Sequence, residues 1–481
     1  MDRLREWIGA VMLFLLVYPA RLPAGEEAKL AVTLDDQEEV AVTVYNQDLG
    51  LIKDQRELDL TKGMVSLEFR DVASGIDPTT VHIRSLTDPG ALAVHEQNYE
   101  YDLLSPEKLL EKYVGKEVAL VEADPETKEE KTVKATILST NGGLVYRTDR
   151  GITFDPRGGQ DRWTRWFFPG IPENLISRPT LVWLLESGKA GKQKVEVSYL
   201  TSGINWKADY VGLLNEDDTR MDLSGWVSIE NQSGATYREA SLKLVAGEIH
   251  KAERLPLRVD KERRGETMEM AATPQFEEEA FFEYHLYTLD RKTTIKENQT
   301  KQMTLFDAPG ARVKKEYTFK GQSWFYTRLV EPREDKVGVF LKFDNKKESG
   351  MGLPLPAGII RLYKRDSDGS IQFLGEDRID HTPVDETVEV KIGTAFDVVA
   401  ERKQVDYRKI GDRVFENAYE ITIRNHKKEA ITVNVVELIP GDWEILEKSH
   451  PYEKRKANEV CFAVPVGAGK EAKLTYRVRI E

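Results

Sequence analysis

Among 481 residues there is one cysteine, Cys461. A single thiol cannot close an internal disulfide, so every domain has to be held by core packing. Cys461 lies in the alternating run Glu459 to Val466 and reads as a small core side chain, not a nucleophile. Basic charge is also scarce relative to acid: 69 Lys and Arg face 82 Asp and Glu, a net charge of −13. With no basic patch, nucleic acid is not an expected partner. Missing too are HExxH, GxSxG, CxxC and a phosphate-binding GxxxxGK, which removes the simplest zinc-protease, hydrolase, redox and P-loop hypotheses. The seven histidines are scattered, no two at ligand spacing on a shared element, so neither a metal nor a cofactor is expected. The apolar run Ile8 to Ala20 has 13 residues and is broken by Pro19, too short to span a bilayer comfortably.

That run nevertheless has an address. Arg3 and Arg5 precede it and Leu-Pro-Ala-Gly follows at 22–25, giving the three regions of a secretory signal over residues 1–24. The expectation is an exported protein, periplasmic or extracellular, that touches a membrane only if this segment stays uncleaved. Hydrophobic residues at 40% and charged residues at 31% describe a globular chain rather than a disordered one. Its length suggests about three domains.

The rest spells strands. From Val195 to Ile249 apolar residues recur at every second position, as in Val195, Val197 and Tyr199, or Ala240, Leu242, Leu244 and Ala246. This period buries one face of each strand and leaves the other in water. Thr-Ser-Gly at 201–203, Asn-Glu-Asp-Asp at 215–218 and Asn-Gln-Ser-Gly at 231–234 supply the turns. The predicted fold is all-β: antiparallel β-sandwich domains, with a small SH3- or OB-like barrel insertion and one short helix. Residues 29–103 form an N-terminal β region. The helix opens at Ser105-Pro106-Glu107, an N-cap followed by proline at the first helical position. It leads into the small barrel, and the two occupy 104–160. A central sandwich runs over 161–400 with a charged excursion at 255–280, and an immunoglobulin-like sandwich closes the chain over 401–481. Trp206 and Tyr210 share a face and are expected to be core.

Two stretches are candidates for function. Arg162 to Pro169 packs four aromatics and two arginines into eight residues. Trp163, Arg165, Trp166 and Phe167 are either a ledge for a glycan or protein, in the manner of interface hot spots, or an aromatic plug between domains. Glu376, Asp377, Asp380 and His381 could bind a cation or act as an acid/base pair, or simply be solvated charge on a strand edge. Catalytic residues are otherwise not identifiable.

Three passages carry a resemblance. RPTLVWLL (178–185) with SYLTSGINWKADYV (198–211), FEYHLYTLDRKTTIKENQTKQ (282–302) and the long run GIIRLYK…VVAERK (358–403) resemble an uncharacterised exported bacterial family. Its defining domain, of unknown function, is similar to the C-terminal domain of mucoidy inhibitor A proteins. The resemblance covers roughly residues 40–481. It implies an envelope location and an all-β fold, and it brings no catalytic residues. The sustained heptad pattern that mucoidy inhibitor A itself would require between domains is missing, so no role in exopolysaccharide control is carried over. The expected function is a non-enzymatic cell-envelope protein that binds or scaffolds protein or glycan partners. The alternatives are a secreted hydrolase working on carbohydrate through a carboxylate pair, and a self-assembling structural subunit of the envelope.

Overall fold

The structure, a computed structural model, describes residues 28–123, 129–155, 164–172, 175–247, 249 and 275–481. The expected signal segment 1–24, Trp163 and most of the charged excursion 255–280 lie outside the described residues. The described residues are mostly β, with 65% of them in strands and 5% helical. They divide into two compact units, one drawn from 28–36, 56–71 and 84–195, the other from 37–55, 72–83 and 196–481.

The first unit holds a four-stranded sheet in the order Ala28–Val32, Gly63–Arg70, Thr180–Ser187, Leu92–Glu100. Val65, Leu67 and Phe69 alternate inward from one strand, and Leu181, Trp183 and Leu185 from its neighbour; all six are fully buried. Arg56 is buried with them. Its guanidinium lies 3.7 Å from the Phe69 ring centroid and donates to the carbonyls of Val32 and Arg70, so its charge is not left unsolvated.

The helix Pro106–Lys112 forms as its sequence requires: the Ser105 side chain accepts from the Lys108 N–H at 3.1 Å and Pro106 opens the first turn. It packs Leu109, Leu110 and Tyr113 on a second sheet, ordered Gly151–Asp155, Leu144–Thr148, Glu130–Ser139, Glu117–Ala123, Thr164–Phe167. This sheet corrects the expected barrel. Among the described residues it is open, with Gly151–Asp155 and Thr164–Phe167 at opposite edges. The helix covers the apolar face, so the sheet need not close on itself to find a core.

The second unit contains two sheet systems. In the first, Gln299–Arg312, Arg220–Asn231, Ile204–Leu214, Gly358–Arg365 and Ile371–Ile379 lie side by side in that order. Strands from both sides of the charged excursion thus meet in one sheet. Facing it is a sheet containing Phe276–Phe281, Tyr284–Leu289, Tyr237–Ala246 and Gln37–Tyr45. Trp206 and Tyr210 are 2% and 0% exposed. The Trp206 indole donates to the Val245 carbonyl at 3.0 Å and meets Tyr287 edge-on, which ties the two sheets through the core. Residues 276–280, expected within the excursion, belong instead to the hairpin strand Phe276–Phe281.

The other system is a nine-stranded sheet ordered Trp443–Lys448, Glu471–Ile480, Phe415–Asn425, Thr387–Lys409, Arg333–Asp344, Lys314–Lys320, Ile431–Leu438, Glu459–Val466, Tyr452–Lys456. Its two ends share one core: Val433, Val435, Phe462 and Val464 pack with Tyr419, Ile421, Leu474 and Tyr476, and the Phe462 and Tyr476 rings stack at 5.3 Å. It therefore curls over on itself as a sandwich. Three of its strands, starting with Lys314–Lys320, begin before residue 401. Cys461 is buried on a strand of this sheet, where burial pushes its thiol pKa up and keeps it protonated.

Candidate functional site

The aromatic stretch divides by strand alternation. Thr164–Phe167 is an edge strand, so successive side chains take opposite faces. Trp166 turns inward, its ring edge-on to Tyr146 at 5.0 Å, and Phe168 packs on Tyr113. Arg165 and Phe167 point to solvent, the guanidinium beside the Phe167 ring and paired with Glu130. Of the three candidates that are described, Trp166 belongs with Phe168 to the core beneath the helix, while Arg165 and Phe167 face solvent.

The acidic stretch lies on the edge strand Ile371–Ile379 and the loop after it, and its groups are spoken for one at a time. Glu376 is exposed and accepts from Arg361 at 3.1 Å. Asp377 accepts from the backbone N–H groups of Arg378 and Lys391. Asp380 is exposed, and His381 receives the Ala357 N–H at 3.1 Å. The four do not converge on a common point. No group of three or more His, Cys, Asp or Glu suited to a metal ion occurs among the described residues. In the first unit Asp35, Glu68 and Glu100 line one open cleft of about 790 Å³. There Glu68 is already paired with Arg70 at 2.6 Å.

A more fully built surface is the segment 321–332 on the nine-stranded sandwich. Within it the run WFYTRLV (324–330) reads as a strand, but the segment folds as a short 3₁₀ turn, Ser323–Tyr326, with an irregular continuation. The reason lies below it. Phe325 and Tyr326 are both driven into the core, at 3% and 0% exposure, and adjacent residues of a strand cannot share a face. Beneath them Arg402 and Glu437 form an ion pair at 2.7 Å, 2% and 0% exposed. The Tyr326 hydroxyl donates to the other Glu437 oxygen at 2.7 Å, and Phe319, Phe325 and Tyr419 surround the guanidinium. Burial pulls the Arg402 pKa down, but the charge of Glu437 and the neighbouring tyrosines outweigh it and hold the guanidinium ionised. Burial pushes the Tyr326 phenol well above its ordinary pKa, so it stays a donor. At Gly321 a β-carbon would collide with the Glu437 carboxylate, so only glycine lets the backbone cross there.

The segment is then pinned from the strand Thr387–Lys409 and its neighbour. Gln404 accepts from the Val330 N–H at 2.7 Å, and the Tyr407 hydroxyl donates to the Thr327 carbonyl at 3.2 Å. Asn417 and Tyr419 donate to the carbonyls of Tyr326 and Phe325 at 3.0 and 2.6 Å. A register shift between Gln404 and Asp406 is what brings residues 404 and 407, three apart, onto the same side. The result is a rigid strap that holds Trp324, Arg328 and Leu329 outward, with Leu329 74% exposed. The Arg328 guanidinium lies 4.0 Å from the Trp324 ring centroid.

Residues 195–481, which include the strap, match the family model described as a domain of unknown function (DUF4139). The chain belongs to that family. No curated protein matches it. Both sheet systems of the second unit fall largely within the DUF4139 domain, and so do the buried Arg402–Glu437 pair and every residue that pins the strap. The sequence signal that could have exposed the strap is Gly-Gln-Ser-Trp-Phe-Tyr itself: three consecutive aromatics break the two-residue period.

Proposed function

We propose that this is a non-catalytic binding and scaffolding protein of the cell envelope, and that a protein partner docks on the strap of its DUF4139 domain. One observation carries the reading: Trp324, Arg328 and Leu329 are held outward by hydrogen bonds and a buried ion pair below them, so little ordering entropy remains to be lost on binding. Trp and Arg dominate interface hot spots, and a guanidinium lying over an indole presents its N–H groups to a carboxylate. The partner is thus a surface with an apolar pocket beside an acidic group. Export to the periplasm or beyond is supported by the signal pattern of residues 1–24, and an envelope setting by the similarity to the C-terminal domain of mucoidy inhibitor A proteins.

The test is quantitative capture from envelope extract, comparing the wild-type chain with Trp324→Ala/Arg328→Ala. A partner retained by the wild type and reduced at least about tenfold by the double variant is expected, each hot-spot truncation costing roughly 2 kcal/mol. Equal capture by both would sink the docking surface. A glycosidase reading would rest on the cleft of Asp35, Glu68 and Glu100: turnover of a soluble glycan by the purified protein, abolished in Glu68→Gln, would replace the binding reading.

A further inference from the structure

A second feature of the DUF4139 domain lies apart from the strap. Within the second unit, where the sheet of Ile204–Leu214 meets the nine-stranded one, a cavity of about 220 Å³ is lined by Asp218, Lys315, Lys364 and Lys427 together with Leu374, Ile392 and Phe396. The turn carrying Asp218 places that residue at φ 58°, in the left-handed region that costs a non-glycine residue conformational energy. There its two carboxylate oxygens are each taken by one lysine, Lys315 and Lys364, both at 2.5 Å.

Asp218 fixes two ammonium groups side by side without exhausting them. An ammonium has three hydrogens. Lys315 gives one to Asp218; Lys364 gives one to Asp218 and one to the Glu216 carbonyl at 2.7 Å. The third amine, Lys427, lies over the Tyr317 ring at 6.0 Å and is only loosely paired with Glu429 at 3.4 Å. Three lysines against Asp218 and Asp397 leave a positive lining, in a chain whose net charge is −13. Leu374, Ile392 and Phe396 make an apolar, open part of the lining: Phe396 is 90% exposed and Leu374 37% exposed.

We propose that this cavity binds a carboxylate attached to an apolar group, supplied either as a free small acid or as the C-terminal residue of a protein chain. The carboxylate accepts the unspent hydrogens of Lys315 and Lys364 and faces Lys427. The apolar group lies along Leu374, Ile392 and Phe396. The partly buried position of the lysines, 30% exposed for Lys315 and 27% for Lys364, lessens screening of the attraction. This site does not depend on the strap, and either can fail without the other.

The test uses the full chain and three probes followed by NMR titration: N-acetyl-L-phenylalanine, a peptide ending in a free phenylalanine carboxylate, and the same peptide amidated. Binding of the free-acid peptide and not of the amide is expected. Equal binding of N-acetyl-L-phenylalanine identifies a small acid as a sufficient ligand, and a clear preference for the peptide identifies a chain terminus; both support the site. Lys427→Ala, which leaves the Asp218 clamp intact, should weaken binding about tenfold, as expected for one charge-assisted contact. Phe396→Ala should weaken it severalfold by removing apolar cover. Equal binding of acid and amide, an unchanged affinity in Lys427→Ala, or no binding of any probe at ~10 mM, a level below which even weak ligands register, would overturn the proposal.

Discussion

Asn231 and Asn425 show how a single side chain shapes a chain reversal. Each ends a strand whose preceding alternate residues are buried: Val227 and Ile229 before the first, Ile421 and Ile423 before the second. Each donates to the carbonyl four residues on, Ala235 or Glu429, and accepts the N–H two residues on, Ser233 or Lys427. The same device thus caps a strand in both sheet systems of the second unit, and the shared spelling Ile-x-Asn is its trace in the sequence. Asn231, which also begins an Asn-x-Ser triplet, is fully buried in this role. Trp206 is the other residue whose part was legible, because the period of two put it on the inner face. Trp206→Ala should cost ~3–5 kcal/mol, enough to consume most of the stability of an average domain. Urea denaturation followed by circular dichroism should show the cooperative transition moved to much lower denaturant or lost, while Trp206→Phe keeps more of it. A Trp206→Ala variant of near-normal stability would mean that the residue is not the tie between the sheets.

At the scale of elements, the strap is where sequence patterning failed. WFYTRLV has the composition of a strand, rich in aromatic and β-branched residues, and composition alone favours that assignment. What overrides it is the destination of two adjacent rings, Phe325 and Tyr326, which both enter the core above Arg402 and Glu437. The three consecutive aromatics mark a break in the strand period but not where the rings go, since Arg402 and Glu437 come from distant strands. The buried pair also sets a clear expectation. Glu437→Gln leaves a cation buried without its partner and should destabilise by ~3–5 kcal/mol, whereas Arg402→Met with Glu437→Leu should recover much of the loss. Denaturation midpoints of the two variants decide it: if the single substitution is no worse than the double, the ion pair is not what holds the strap's floor. The open five-stranded sheet of the first unit is a similar case. Four short strands with tight turns are compatible with a barrel or with a sheet under a helix, and the choice belongs to Leu109, Leu110 and Tyr113 on the helix face.

Over the whole molecule the acidic balance does not leave the carboxylates unsupported. Burial pushes the Asp218 carboxyl up, but hydrogen bonds and charge from Lys315 and Lys364 outweigh it and hold the pKa below the ordinary value. Glu316 is treated the same way by Lys314 and Lys342. A carboxylate whose folded pKa is depressed adds stability that is fully present above its unfolded pKa, about 4, and is lost as pH falls through the lower folded value. Stability should therefore hold from neutral pH down to about 5 and decline below about 4. Asp218→Asn should lower the neutral plateau and flatten the decline, read as urea midpoints across pH. An unchanged acid slope in that variant would show that the clamp contributes nothing to folding.

What the sequence determined by itself is what local periodicity can encode: strands with one buried face, the Ser105 cap of the helix, and a chain without need of disulfides. A two-residue period states which side of a strand faces the core but not which strand lies beside it, because neighbours in a sheet can come from anywhere in the chain. Only the tertiary structure therefore decided that Ile204–Leu214 runs parallel to Gly358–Arg365, and Lys314–Lys320 parallel to Ile431–Leu438. Those non-local pairings bring Lys315, Lys364 and Asp218 to one cavity. The joint core of the nine-stranded sheet likewise draws Phe325 and Tyr326 inward, and so turns Trp324 and Arg328 to the outside.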